Sequence, residues 1–311
     1  MTLKGFETTG LHGLQKGDVT AVVSARAASL RSLVVDGTEL VEPTMTRLDP
    51  PGMAGAILAP WPNRVEGGRW RRGNHDLQLA VTEPELGHAN HGLLARTDFA
   101  LVTADLATVV LRGQIDEPPG YPFRLVVVAE YRLVDAGIEV ILAVQNIGDG
   151  PAPVAFGAHP YLRVGDTPTD RLTLHLDADT AHVLDDTHIP RERFAVEGTS
   201  WELRGGRPIP EVPVHATFEH TGARRELVHA LVAPDGRAVE LRADPAFRFT
   251  QLYLADRLAT DHGPRRAVAV EPMTAPPNAL RTGLGMRELE PGGTLRAGFG
   301  IRLRQPLSRL R

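Results

Sequence analysis

The stretch FRLVVVAEYRLVDAGIEVILAVQ, residues 123–145, decides the fold class of this chain. Two runs within it, Phe123 to Leu133 and Ile138 to Gln145, are rich in Val, Leu and Ile, which is typical of strands. Between them, Asp135-Ala136-Gly137 supplies residues that tolerate a positive φ, so Arg124 to Gln145 is predicted to form a β-hairpin. The stretch therefore indicates an antiparallel sheet.

The same pattern of short strands continues on both sides of this hairpin. Thr108 to Ile115, Pro153 to Phe156 and Arg171 to Leu176 are further predicted strands. The 31 glycines and 25 prolines indicate many turns, and apolar residues at helical spacing are never sustained over three turns. We therefore predict an all-β fold, a large antiparallel β-sandwich that forms a single domain over residues 1–311. The strongest turn signals are Val35-Asp36-Gly37, Gly148-Asp149-Gly150, Pro234-Asp235-Gly236 and Pro291-Gly292-Gly293.

Composition excludes several classes of catalysis. The chain has no cysteine, so a thiolate nucleophile, a cysteine-rich metal site and a disulfide framework are impossible. Schiff-base chemistry would depend on Lys4 or Lys16, which are both close to the N-terminus. No serine lies in a Gly-x-Ser-x-Gly context. An enzyme with this sequence would have to work with His, Asp, Glu, Tyr and Arg.

Charge and hydropathy indicate neither a nucleic acid nor a membrane as a partner. The formal net charge is −4, whereas phosphate-binding surfaces usually show a clustered basic excess. No apolar run approaches the ~20 residues that span a bilayer, and Met1 to Asp18 lacks the apolar core of a signal peptide. We therefore expect a cytoplasmic protein. The oligomeric state is not predicted.

Two segments carry polar groups suited to binding a small polar molecule. In Pro60-Trp61-Pro62-Asn63-Arg64-Val65, prolines hold the backbone on both sides of an indole, and an amide and a guanidinium that can bind hydroxyls follow. The alternative is a rigid turn with an exposed Arg64. In His88-Ala89-Asn90-His91-Gly92, the Gly and Asn residues favour a loop, and no further ligand spacing supports a metal. His91 is predicted to face a polar pocket, with exposure to solvent as the alternative.

Two other segments share the order strand, ionisable residue, proline. His159 follows the predicted strand Pro153 to Phe156, and Pro160 favours an extended backbone there. Glu271 ends the apolar run Val268-Ala269-Val270 and precedes Pro272. Histidine exchanges protons near neutral pH, and burial raises the pKa of a carboxyl group. His159 is thus a candidate general acid and Glu271 a candidate general base, in an isomerase, a lyase or a hydrolase.

Around these segments the chain resembles a known family, the aldose 1-epimerases or sugar mutarotases. The resemblance runs roughly from Val34 to Ile301. Each shared motif is weak alone, but their common order and the nine-residue run from Glu271 make the match specific. The motifs are Pro-Trp-Pro-Asn-Arg at 60–64, His91-Gly92, Gly157-x-His159-Pro160-Tyr161, Gln251-Leu252-Tyr253, Glu271-Pro272-Met273-Thr274-Ala275-Pro276-Pro277-Asn278-Ala279 and Leu289-Glu290-Pro291-Gly292-Gly293.

The resemblance implies a galactose mutarotase-like β-supersandwich that interconverts the α and β anomers of a monosaccharide without a metal or an organic cofactor. By this likeness, Glu271 takes the proton of the C1 hydroxyl and His159 protonates the ring oxygen, so that the ring opens. The residues that are similar to those that hold the sugar are Asn63, Arg64, His91 and Gln251.

The chain departs from the family pattern at one sugar contact. Many relatives carry an aspartate in an Asp-x-x-Phe segment, and the corresponding stretch here is His215-Ala216-Thr217-Phe218. His215 or Asp244 is the predicted replacement, although Asp244 also suits a plain turn. The change leaves the identity of the sugar open. It suggests the hypothesis of a substrate with an acidic substituent, bound by Arg64 or His215.

Two rival functions come from other classes. A carbohydrate-binding or sensor protein could keep the fold and lose the chemistry, although the presence of both Glu271 and His159 argues against this. A glycosidase would need two carboxylates about 5–10 Å apart, and Glu271 is the one carboxylate that the sequence singles out. A carbohydrate lyase, which can also use histidine or carboxylate groups on a β-sandwich, is the related alternative.

Overall fold

The computed structural model describes residues 10–213 and 215–306, and Lys4 lies outside them. The helical segments are α1 (Ala279–Thr282) and the 3-10 turns Pro51–Met53, Glu66–Gly68, Thr169–Arg171 and Ile209–Glu211. In chain order the strands of the described residues are β1 (Leu11–Lys16), β2 (Val19–Ser24), β3 (Leu30–Val35), β4 (Thr38–Glu39), β5 (Ile57–Leu58), β6 (Arg64–Val65), β7 (Arg69–Arg72), β8 (His75–Gln78), β9 (Ala89–Asn90), β10 (Ala100–Ala104), β11 (Thr108–Asp116), β12 (Arg124–Val134), β13 (Gly137–Asn146), β14 (Ala152–Val154), β15 (Gly157–Ala158), β16 (Tyr161–Leu162), β17 (Thr173–His175), β18 (Thr180–Leu184), β19 (Pro190–Ala195), β20 (Arg207–Pro208), β21 (Ala216–Glu219), β22 (Leu227–Val232), β23 (Ala238–Ala243), β24 (Phe249–Thr260), β25 (Gly263–Met273), β26 (Arg287–Leu289) and β27 (Thr294–Arg304).

Two large sheets dominate the molecule. A nine-stranded sheet has the order β10-β11-β12-β13-β27-β23-β22-β17-β20, and an eight-stranded sheet has the order β19-β18-β21-β24-β25-β15-β5, with β16 also paired to β25. Residues of both sheets share one hydrophobic cluster, for example Val127 of β12 and Val270 of β25. The predicted all-β sandwich is therefore confirmed. A smaller four-stranded sheet, β1 to β4, was not predicted.

The predicted hairpin is present at the middle of the nine-stranded sheet. β12 pairs antiparallel with β13, and Val134 lies opposite Gly137 across the turn. Along β12 the buried residues alternate with more exposed ones, because successive side chains of a strand point to opposite faces of the sheet. The hydrophobic cluster contains the buried set Leu125, Val127, Ala129, Tyr131 and Leu133.

Two predicted strands begin or end elsewhere in the structure. Thr169–Arg171 forms a 3-10 turn, so the strand predicted from Arg171 begins only at Thr173. The strand predicted over 153–156 covers Ala152–Val154, and a separate two-residue strand follows at Gly157–Ala158. The break matters because β15 pairs with β25 in the eight-stranded sheet, whereas β14 pairs with β26.

The strand β25 is buried over its second half. Ala267 to Met273 are all buried, and the strand pairs with β24 along one edge and with β15 and β16 along the other. A strand that is buried on both faces is expected to be continuously apolar. Glu271 is the ionisable exception in that half, and a carboxyl group buried there is costly unless it has partners or a function.

The helices of the described residues are short. None of those within residues 10–213 and 215–306 has the length and apolar character needed to cross a bilayer.

Candidate functional site

A cavity of about 580 Å³ opens beside Glu271. The pockets that bind small molecules usually measure about 300–1,000 Å³, so this one can hold a monosaccharide. The structure brings to this cavity all but one of the residues that the sequence predicted for the site, namely Asn63, Arg64, His91, His159, His215, Gln251 and Glu271.

Strand pairing sets His159 directly across from Glu271. Gly157 pairs with Met273 and Tyr161 pairs with Ala269, so the same antiparallel register aligns position 159 with position 271. His159 Nε2 lies 3.3 Å from Glu271 Oε1. The exposed fractions of the two residues are 4% and 1%. An imidazole and a carboxyl group therefore meet at the cavity wall, largely away from water.

Burial shifts the pKa values of this pair in opposite directions. It raises the pKa of Glu271 to about 8 and lowers the pKa of His159 to about 4, because removal from water disfavours the charged form of each group. Between these limits the pair as a whole holds one proton. Glu271 Oε2 is buried and has no hydrogen-bond partner in the described part of the chain. The pair can therefore give and accept protons at neutral pH.

Gln251 lies on the strand next to Glu271. Gln251 of β24 pairs with Glu271 of β25 on one side and with Thr217 of β21 on the other. The Thr217 hydroxyl donates to Gln251 Oε1, and Gln251 Nε2 donates to the Leu252 carbonyl at 3.2 Å. Three adjacent strands thus carry a row of polar side chains toward the cavity, and the amide of the middle one is held at both ends.

Asn63 and His91 are held by unusual backbone geometry. Both residues have a positive φ, 58° and 61°, which is uncommon outside glycine. The Asn63 backbone N–H donates to His91 Nδ1 at 3.3 Å, and burial lowers the pKa of His91 well below its ordinary value. A neutral imidazole that accepts at Nδ1 carries its proton on Nε2. His91 therefore offers a hydrogen-bond donor to a ligand.

Arg64 is already paired. Its Nε and NH2 groups donate to Glu83 Oε2 and Oε1 at 2.7 and 2.8 Å, the bidentate arrangement that arginine and carboxylate favour. Glu83 also lines the cavity. The pair leaves Arg64 in the cavity wall with much of its charge balanced.

His215 lies against two other rings. Its ring stacks on His188 with a centroid distance of 4.5 Å and meets Tyr253 edge to face at 4.6 Å. Burial, with a contribution from nearby His188, lowers the pKa of His215 to about 4. The ring is therefore neutral near pH 7, and at that pH it offers a ligand hydrogen bonds and an aromatic surface but no charge.

Asp244 is the predicted site residue that lies elsewhere. It follows β23 of the nine-stranded sheet and borders a different cavity, of about 220 Å³. Its Oδ1 accepts a hydrogen bond from the backbone N–H of Ala246 at 2.9 Å. This is the turn role that was the alternative prediction for Asp244. This position does not fit the predicted sugar contact. Asp244 follows a strand of the nine-stranded sheet, whereas Glu271 lies in the eight-stranded sheet.

Sequence reasoning missed several residues of this cavity. Glu83 had no local signal, because its partner lies 19 positions away. Tyr253, which lines the cavity, stood inside a quoted motif without an assigned role. So did Thr217, which is absent from the lining but bonds to Gln251. Arg96 also lines the cavity. Among residues 10–213 and 215–306, no group of three or more His, Asp or Glu side chains is arranged to hold a metal ion.

Comparisons with known proteins give one consistent result. The family model for aldose 1-epimerase matches residues 11–302. The chain is 30% identical over 289 residues to the uncharacterized protein YihR of Escherichia coli (strain K12). The aligned region covers 93% of this chain and 91% of that protein.

Solved structures with lower sequence identity share the fold. The GalM/aldose epimerase homologue from C. elegans has a TM-score of 0.83 and 17% identity, over 96% of this chain and 99% of that one. Galactose 1-epimerase from Lactobacillus acidophilus NCFM has a TM-score of 0.77 and 17% identity, over 95% of this chain and 94% of that one.

Proposed function

Since this chain belongs to the aldose 1-epimerase family, we propose that it interconverts the α and β anomers of an aldose by acid–base catalysis, without a cofactor. The observation that carries the proposal is the buried pair at the cavity, with His159 Nε2 at 3.3 Å from Glu271 Oε1. A general acid and a general base must both come within hydrogen-bond reach of the reacting atoms, and this pair offers both groups side by side.

The reaction needs two proton transfers. The Glu271 carboxylate removes the proton of the C1 hydroxyl, the C1–O electrons form a carbonyl, and the bond from C1 to the ring oxygen breaks. The His159 imidazolium protonates the ring oxygen as it leaves. Rotation about C1–C2 presents the other face of the aldehyde, and the two transfers then run in reverse to close the ring.

The proton count of the pair suits this cycle. The single proton rests mainly on Glu271, so the reactive form, carboxylate and imidazolium, arises by transfer of that proton to His159 across the 3.3 Å contact. Ring opening then converts this form back into carboxylic acid and neutral imidazole, and both forms hold one proton in total. The opposed pKa values of Glu271 and His159, about 8 and about 4, keep that count over a wide range around neutral pH. No covalent intermediate is required, which agrees with a chain that lacks cysteine.

The remaining cavity residues would hold the sugar. Asn63, His91 and Gln251 offer amide and imidazole groups to hydroxyls. An acidic substituent on the sugar stays a hypothesis. Arg64 is engaged by Glu83 and His215 is neutral near pH 7, so either would have to change partner or protonation to bind an anion. Arg96 at the same cavity forms no ion pair within the described residues.

The activity can be tested by polarimetry on freshly dissolved α-D-glucose and α-D-galactose, with the spontaneous rate subtracted. We expect the Glu271→Gln variant to lose ~10²–10⁴-fold in kcat/KM, the usual contribution of a general base. Glu42→Gln is the matched control, because Glu42 is also buried, at 2% exposure, and lies outside the cavity lining. Equal rates for wild type and Glu271→Gln would contradict the proposal.

The same protein preparations distinguish the rival functions. Sugar binding in calorimetry without faster mutarotation would indicate a carbohydrate-binding or sensor protein. Release of reducing sugar from oligosaccharides would indicate a hydrolase. Mutarotation rates on neutral hexoses against uronic, phosphorylated and sulfonated sugars test the acidic substituent, and a preference for neutral hexoses would reject it. The cytoplasmic location and the single domain over residues 1–311 stay predictions.

A further inference from the structure

Gln251 is held by two hydrogen bonds that together orient its amide. The Leu252 carbonyl can only accept, so the amide group that faces it at 3.2 Å has to be the NH2 group. The other end of the amide is then the carbonyl Oε1, and the Thr217 hydroxyl donates to it. One of the two Nε2 hydrogens is used by Leu252, and the second stays available on a residue that lines the cavity.

Thr217 itself is fully buried, with 0% exposure, and is absent from the cavity lining. It reaches the site through Gln251, its cross-strand partner, which is in turn the cross-strand partner of Glu271. Without the Thr217 hydroxyl, Oε1 would be a buried acceptor with no donor, and a buried acceptor without a partner is disfavoured. The amide would then gain from turning away from its present orientation.

We infer that Thr217 is a positioning residue for the sugar: its hydroxyl locks the Gln251 amide so that an N–H group, a donor, meets an oxygen of the substrate beside Glu271. This inference rests on the proposed function for the identity of the ligand. It assigns a role to a residue that touches no substrate, and it predicts that Gln251 donates a hydrogen bond to an oxygen of the sugar.

The expected effect is on binding more than on the chemical step. A contact that Gln251 makes equally in the ground state and in the transition state changes KM and leaves kcat nearly constant. We therefore expect Thr217→Val, which keeps the shape and removes the donor, to raise KM for D-galactose by about tenfold with kcat within about twofold. Thr217→Ser, which restores the hydroxyl, should return KM to within about twofold of wild type.

A double-mutant cycle separates positioning from general damage. If Thr217 acts through Gln251, adding Thr217→Val to Gln251→Met should change KM no further. Thr250→Val is the matched control. Thr250 is buried one position from Gln251, but its hydroxyl bonds to His220 and His229 at 3.1 and 3.0 Å instead. We expect this control to keep the wild-type KM, and thermal unfolding of each variant shows whether it is folded.

Three results would overturn the inference. The first is an equal change in KM when Thr217→Val is introduced into wild type and into the Gln251→Met variant. The others are a KM that Thr217→Ser does not restore, and the same rise in KM for Thr250→Val. If Thr217→Val does not fold, the serine variant and Thr217→Ala carry the same comparison. If wild type shows no mutarotation, the proposed function fails, and calorimetric Kd values for D-galactose replace KM in the same cycle. Absence of D-galactose binding to wild type as well would overturn the inference.

Discussion

Raising the pH should reduce kcat/KM only near pH 8, well above the ordinary pKa of a histidine. The proposed reaction needs one proton on the pair of Glu271 and His159, and the pair loses that proton at about 8, the raised pKa of Glu271. At the acid end it takes up a second proton near 4, the lowered pKa of His159. We therefore expect a broad bell-shaped profile with limbs near these two values.

The size of the effect follows from the two alternatives for the alkaline limb. With a pKa of about 8, about three quarters of the molecules keep the proton at pH 7.5, whereas with the ordinary histidine value of about 6.5 about one tenth would keep it. The rate at pH 7.5 should therefore be about three quarters of the plateau rate, whereas ordinary pKa values would leave about one tenth of the plateau rate.

Initial rates of mutarotation between about pH 3 and about pH 10, corrected for the spontaneous reaction at each pH, measure this profile. Glu42→Gln is again the control, since burial also raises the pKa of Glu42 and this residue is absent from the cavity lining. Its limbs should match those of wild type. An alkaline limb near 6.5 in wild type, or a limb that moves in the Glu42 variant, would refute the assignment of the shared proton to Glu271 and His159.

Other perturbations test the surroundings of the pair. Because the pKa of Glu271 is raised in the folded state, its contribution to stability is full below about 4.5 and is lost as the pH rises to about 8. Denaturant titrations should show the free energy of unfolding of wild type falling relative to Glu271→Gln by about 1.4 kcal/mol per pH unit there, and parallel curves would contradict this. Gly92→Ala should unfold at a clearly lower temperature and lose activity, because Gly92 has a φ of 74° and an added Cβ would lie 2.1 Å from a backbone oxygen; a wild-type Tm would refute the strain. Glu83→Gln should raise KM several-fold by loosening Arg64, since it removes the charged partner of a bidentate pair, and an unchanged KM would show that Arg64 is held otherwise. His215→Asp restores the carboxylate of many relatives at a position with a φ of 53°, which Asp tolerates, and should lower KM for neutral hexoses; a higher KM would mean that the imidazole itself binds the substrate.

Local patterns along the chain were enough to predict the strands and the candidate acid and base. The runs of Val, Leu and Ile in 123–145 predicted the strands, because strand preference depends largely on the residue types within a short segment. A proline follows both His159 and Glu271 and restricts the backbone of the residue before it. This local pattern singled out both residues as candidates for the acid and the base. The family motifs added the remaining sugar contacts, and the cavity contains all of those except Asp244.

Long-range pairing decided what those residues can do. The register of β15 and β16 on β25 sets His159 opposite Glu271, and the assignment of Asp244 to the other sheet removes it from the cavity. Likewise, Glu83 balances the charge of Arg64, which lies 19 positions away in the chain. Thr217 orients the amide of Gln251, which lies 34 positions away. A pKa depends on burial and on charges brought near by folding. The chemical types of the groups are therefore local properties, whereas their protonation, orientation and partners exist only in the folded molecule.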